Sequence, residues 1–227
     1  MTRYVLDAFD FAVTEGEMLA RCRARRDREE GVRALELLAE GQRLGRPRVL
    51  VAEADVTAGD GDDGVIVGGV GIRSRFVREK LLQSPVAYAY VATCGTEAER
   101  WSDGLGDFLD RFYADELKKL WIARAIEALH ADVRRRFAPA ATLSSLNPGS
   151  LPQQWPIEGQ RELFRILGDA EGAVGVKLTE SCLMVPVKSV SGLLFADHTG
   201  HVNCALCPRE NCPNRRAPRA ERAPARG

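Results

Sequence analysis

Residues Arg48 to Ile72 read RVLVAEADVTAGDGDDGVIVGGVGI, two Val-rich runs on either side of the Gly- and Asp-rich segment Gly59 to Gly64. Branched side chains suit a pleated, half-buried surface, and a Gly/Asp cluster between two such runs supplies the turn. Arg48 to Val56 and Val65 to Ile72 are therefore expected to pair as a hairpin. Ala87 to Thr93 (AYAYVAT) reads as a third strand, and Val174 to Leu178 and Val190 to Phe195 as two more.

Between the strands the apolar period lengthens. Thr14 followed by Glu17 fits a capping box, which places a helix start there. Gly31 is expected to mark a break between two helical stretches, because Gly is costly inside a helix, and Val32, Leu35 and Leu38 then recur at helical steps. The region from Gly95 to about Phe137 is expected to be mostly helical with one break. Within it Ile122, Ile126, Leu129, Val133 and Phe137 form an apolar stripe for a core. Ala138 to Pro156 turns to Pro, Ser, Asn, Gly and Gln, as an ordered loop or linker would, before Ile157 to Leu167 resumes a helical period. Strands with interspersed helices make this an α+β chain.

With 227 residues the chain has room for one domain with a sizeable core. Hydrophobic residues at 45% and charged residues at 28% are those of a soluble globular protein and argue against general disorder. Lys and Arg balance Asp and Glu at 32 each, so nothing supports nucleic-acid binding, which wants excess positive charge. The start, MTRYVLDAFDFAVTEGEM, lacks the basic end and apolar run of a secretory signal, and no apolar run reaches membrane-spanning length. A cytoplasmic location is expected.

Three of the six cysteines bunch near one end, in HTGHVNCALCPRENCPNRR, where Cys204, Cys207 and Cys212 have C-x2-C-x4-C spacing. A tight turn can point such thiolates at one centre, zinc or an iron-sulfur cluster. Cys182, in TESCLMVP, is the candidate fourth ligand, with His198 and His201 as alternatives. Unligated reduced thiols are the simpler reading of the same spacing, and a lone Cys in an apolar setting is often just a small buried hydrophobe. Cys22 and Cys94 read as structural. The divisions expected are residues 1–203 as the folded domain, 204–213 as the cysteine cluster and 214–227 as a disordered, basic tail.

Three further stretches, taken in order, resemble the reactivation (activation) domain of cobalamin-dependent methionine synthase. They are IEALHADVRRRF (Ile126 to Phe137), NPGS (Asn147 to Ser150) and VGVKLTESCLMVPVKSVSGLLF (Val174 to Phe195), of which the last, with LTES, M-x-P and SVSG, is the specific one. The chain looks similar to the stand-alone, Cys-rich members of that family. The resemblance implies a mixed, mostly antiparallel curved sheet with flanking helices. It implies S-adenosylmethionine as cofactor, cobalamin held by a partner, and restoration of an inactive cob(II)alamin by reduction and remethylation. By position, Glu127 falls on a helix carboxylate used near the cofactor's amino end, and Asn147, Pro148, Gly149 and Ser150 on the loop along the cofactor. The family's Arg ahead of this loop falls on Ser145 here, and its Tyr after the Gly on Ser150. The partner implied is a corrinoid protein or a methionine synthase lacking its own reactivation domain, with an electron donor. No catalytic residue is assigned.

Other readings compete. Glu127, His130 and Arg134 share a helix face that solvent alone would explain. Glu180, Ser181, Ser189, Ser191 and Gly192 fit roles in strand ends and turns. The rival function is a non-enzymatic corrinoid-protein binding module with a structural metal. A zinc-dependent methyltransferase has only the cysteine cluster in its favour.

Overall fold

In a computed structural model of the protein, residues 1–137, 142–197, 200–207, 209, 211–212, 215 and 217–219 are described. Most of the expected tail, from 214 to 227, lies outside them, as does His198.

The chain opens with β1 (Thr2–Leu6) and α1 (Glu15–Cys22), which starts on the expected capping box: Thr14 accepts from the Glu17 amide and Glu17 reaches back to Thr14. After α2 (Glu29–Leu44) come β2 (Arg48–Ala58), β3 (Gly64–Val67) and β4 (Val70–Arg73). The expected hairpin forms, but Val65 to Ile72 is two strands. Gly68 and Gly69, at φ of 56° and 82°, turn the chain back between β3 and β4. Gly31 also departs from expectation. The break runs from Arg23 to Arg28, and Gly31 lies inside α2, where any side chain would collide with the Arg25 carbonyl.

Then follow α3 (Arg75–Leu81), β5 (Val86–Thr93), α4 (Thr96–Asp103) and the long α5 (Phe108–Phe137). Within the stretch expected as loop, Leu143–Leu146 forms β6. A short 3-10 turn at Ile157–Gly159 leads into α6 (Gln160–Leu167), and α7 (Ala170–Val174) takes part of what was expected as strand. The small hairpin β7 (Lys177–Leu178) and β8 (Met184–Val185) precedes β9 (Ser189–Ala196), and α8 (Asn203–Leu206) is a single turn.

Seven strands form one sheet in the order β4-β3-β2-β5-β9-β6, with β1 beside β2, and each pairing among them is antiparallel. The architecture is α+β, an antiparallel sheet with flanking helices. Alternation along the strands divides two faces. Leu50, Ala52, Ala54, Ala89, Val91, Leu193 and Phe195 pack against Leu163, Ile166 and Leu167 of α6. Val49, Val51, Tyr88, Tyr90 and Leu194 pack against Ala125, Leu129 and Val133 of α5. The first half of α5 instead joins α1, α2 and α4 around Trp101 and Trp121. Among the described residues no helix is long and apolar enough to cross a membrane.

Candidate functional site

At the end of β6 the chain enters the loop Asn147–Ser150, and the sheet beneath it is cut away to admit one side chain. Gly192 stands opposite Tyr90 in the β5–β9 register. A Cβ there would lie 2.5 Å from Asn147 Nδ2, 2.5 Å from the Leu146 carbonyl oxygen and 3.0 Å from the Tyr90 hydroxyl. Its absence lets the Asn147 amide lie over β9 and donate to the Ser191 carbonyl and the Tyr90 hydroxyl, each at 2.8 Å. The Gly of SVSG thus serves the loop of NPGS, and two motifs far apart in sequence become one feature.

That feature has a direction. The Ser191 carbonyl can only accept, so the Asn147 nitrogen faces β9 and its oxygen faces outward. There Oδ1 accepts from Asn203 Nδ2 at 3.0 Å, which turns Asn203 Oδ1 toward His201 Nε2 at 2.8 Å. His201 Nε2 must then carry a proton. The Ser144 hydroxyl lies 2.8 Å from the buried Asp197 carboxylate and 2.7 Å from the His201 carbonyl, with one proton to share between these two acceptors, and the His201 amide donates to the same Asp197 carboxylate. The start of the C-terminal segment is therefore bound to β6 and to the loop. His201 also packs edgewise on Phe76, with ring centroids 5.5 Å apart.

The loop itself is a closed turn. The Ser150 amide and hydroxyl both donate to the Asn147 carbonyl, at 3.1 and 2.7 Å, and the Gly149 amide donates to the Trp155 carbonyl at 2.9 Å. Gly149 has φ of 81°, and a side chain there would meet Ile157 Cδ1 at 2.8 Å. Ser145 contributes only a long bond, 3.4 Å, to Asn147 Oδ1.

Glu127 lies apart from this. It is exposed on α5 and paired with Arg124 at 3.3 Å. It borders an open depression of about 460 Å³ with Ala123, Ile126, His130, Ala131 and Arg134, and no residue of the Asn147–Ser150 loop lines it.

LTES forms the connection between β7 and β8. The Leu183 amide donates to Thr179 Oγ1 at 3.0 Å, and Arg161 Nη2 donates to the Glu180 carbonyl at 2.9 Å. Cys182 is buried within this turn, and its Sγ accepts from Arg161 Nε at 3.3 Å. Leu183 of this connection, Val185 of β8 and Val187 just after it are exposed.

Cys204, Cys207 and Cys212 are half-buried. The Arg215 guanidinium donates to the carbonyls of Cys204 at 2.7 Å and Cys207 at 3.4 Å, and the Arg215 amide to that of Cys212 at 3.1 Å, which ties the thiol-bearing chain into a loop. Among the described residues no group of three or more His, Cys, Asp or Glu is arranged to hold a metal ion, so Cys182 is not gathered with the clustered three. The remaining thiols are protected by burial. It pushes Cys94 up to about 12 and, with Glu116 nearby, Cys22 up to about 11, so both stay protonated at neutral pH.

The sequence alone did not point to Tyr90, Gln160 or Asn203. Gln160, at the start of α6, accepts from Ser191 Oγ at 2.8 Å in the interior.

The model of the family described as "Vitamin B12 dependent methionine synthase, activation domain" matches residues 147–212, from the loop through the last cysteine. Among solved structures, the MetH reactivation domain bound to AdoHcy is similar with a TM-score of 0.64 at 16% identity, covering 89% of this chain and 80% of that one. The fold is thus that of the reactivation domain. No curated protein matches.

Proposed function

We propose that this chain is an accessory protein for reductive reactivation or remethylation of a corrinoid (cobalamin) protein, and that its Asn147–Ser150 loop takes the S-adenosyl ligand. The observation that carries the reading is the Asn147–Gly192 packing. It joins the NPGS loop to SVSG, part of the specific stretch of the resemblance, within the segment that the activation-domain model matches. The solved relative was crystallised with AdoHcy, the demethylated form of S-adenosylmethionine. In this chain the turn is pre-organised, with Gly149 letting it close against Ile157 and backbone groups supplying its polar edge. The cobalamin belongs to the partner, a corrinoid protein or a methionine synthase lacking its own reactivation domain, and both work in the cytoplasm. It supplies the methyl-accepting cobalt, and an external donor supplies the electron. This chain binds, orients and excludes water.

A thiophilic metal, zinc or an iron-sulfur cluster, would draw on Cys204, Cys207 and Cys212 in the loop that Arg215 closes. Cys182 could join as fourth ligand only by giving up Arg161. Glu127 would act at the S-adenosyl amino end only if α5 and the loop met through the ligand or the partner.

A second reading is a non-enzymatic corrinoid-protein binding module with a structural metal. One observation favours it: Ser150 is used within the turn and Ser145 brings no guanidinium to clamp a carboxylate. Calorimetric titration with S-adenosylhomocysteine separates the two. Saturable binding that is lost in Asn147→Ala supports the first. No heat with a folded protein at high ligand concentration leaves the second.

A further inference from the structure

The Asn147–Ser150 loop is held from two sides, and one buried hydrogen bond joins the two supports. Beneath the loop, Asn147 Nδ2 donates to the Ser191 carbonyl of β9. β6 is in register with β9 only from Ala196 to Leu193, so among the described residues Ser191 has a strand partner in β5 alone, Val91. Beside the loop, the Trp155 carbonyl accepts from the Gly149 amide at 2.9 Å, and Ile157 closes against Gly149. The turn Ile157–Gly159 leads directly into α6, whose first residue, Gln160, accepts from Ser191 Oγ at 2.8 Å. Gln160 and Ser191 are both buried, away from water that would compete for this bond. The contacts close a ring: Asn147 to Ser191, Ser191 to Gln160, and through Ile157 and Trp155 back to Gly149. The next residue, Arg161, donates to the Glu180 carbonyl at 2.9 Å and ties the LTES turn to the same helix end.

We infer that Gln160 is a positioning residue for the Asn147–Ser150 loop and acts on it through Ser191. The inference rests on the reading that this loop takes the S-adenosyl ligand. Gln160 pins the Ser191 hydroxyl, the pinned residue fixes where its carbonyl meets Asn147, and Asn147 fixes where the turn begins. Without the Gln160 oxygen the ring opens between β9 and α6, and the loop is no longer confined to the closed turn. A ligand must then select the closed form, and its affinity falls by the fraction that remains closed. One neutral hydrogen bond sets the size of that loss at about two- to tenfold.

The test is amide hydrogen exchange on the full chain without ligand. The Gly149 and Ser150 amides, which donate to the Trp155 and Asn147 carbonyls, report the loop. Gln160→Leu is expected to speed their exchange by about two- to tenfold. Ser191→Ala, which removes the hydroxyl and keeps the carbonyl, must do likewise and serves if the Leu variant does not fold. The double variant must exchange no faster than either single one, because both remove the same bond. Leu37→Ala empties a buried position in the helical cluster around Trp101 and Trp121. It is expected to lower global stability and leave the two loop amides at wild-type rates. Unchanged loop exchange in Gln160→Leu, multiplied effects in the double variant, or equal speeding in Leu37→Ala overturns the inference. A parallel titration with S-adenosylhomocysteine should show binding weakened by the same factor in Gln160→Leu, and equal affinity in wild type and variant would also overturn it. A wild type that binds none removes the ligand assignment and leaves the exchange result standing.

Discussion

Replacing Gly192 with Ala strikes the packing on which the candidate site depends. The new methyl group would sit 2.5 Å from Asn147 Nδ2 and from the Leu146 carbonyl oxygen. That carbonyl belongs to a strand whose Leu146 is in register with Leu193, so it cannot swing aside as a long side chain could. Overpacking of this kind costs about 1–3 kcal/mol. Expelling the Asn147 amide takes a hydrogen bond from each of the Tyr90 hydroxyl and the Ser191 carbonyl, about 1 kcal/mol apiece. The sum is about 3–5 kcal/mol, which for a chain of this size lowers the thermal midpoint by roughly 6–20 °C. Urea denaturation followed by far-ultraviolet circular dichroism measures it. Ser191→Ala is the control, because it keeps the backbone carbonyl and removes only the hydroxyl bonded to Gln160, at about 1 kcal/mol. If Gly192→Ala lies within about 1 kcal/mol of the wild type, Asn147 does not need the space, and the link between SVSG and the loop is wrong.

Other consequences follow from the same structure. Leu129→Ala, at a fully buried position where α5 meets the sheet, should cost about 2–5 kcal/mol in the same denaturation assay. In the native state Ellman's reagent should label Cys204, Cys207 and Cys212 quickly in metal-free protein and spare Cys94, whose thiol burial holds at about 12. Rapid labelling of Cys94 without unfolding would contradict its placement. The Arg33 guanidinium beside Asp110 holds that carboxyl below its usual range. A depressed folded value means that the pair stabilises above the carboxylate's ordinary value and that this is lost as pH falls through the folded value. Arg33→Leu should therefore flatten the loss of stability in acid. An unchanged acid titration of stability would show the pair to be inert.

The strands were largely legible because Val-rich runs at Arg48–Val56 and Ala87–Thr93 carry their own signal, and both appear in the structure within two residues. β6 was not, since LSSL is short and half polar and gains its place only by pairing with β9. The Val65–Ile72 run hid a turn because the two glycines that make it also fit a continuous strand. Gly31 misled for the opposite reason: its helix cost was visible, but the Arg25 backbone that requires it was not. At the site, the loop and the LTES-to-SVSG stretch were legible as motifs. Their junction was not, because Tyr90 looks like an ordinary core residue of β5 and Asn203 like a spacer before Cys204. Only the folded sheet brings these two to Asn147.

The most direct measurement follows the visible spectrum of a methionine synthase without its reactivation domain, held as cob(II)alamin with S-adenosylmethionine and a one-electron reductant. Adding this chain should convert the spectrum to that of methylcobalamin, and the Asn147→Ala variant should do so far more slowly. A spectrum that stays unchanged, with no complex between the two proteins by sedimentation, would contradict the account.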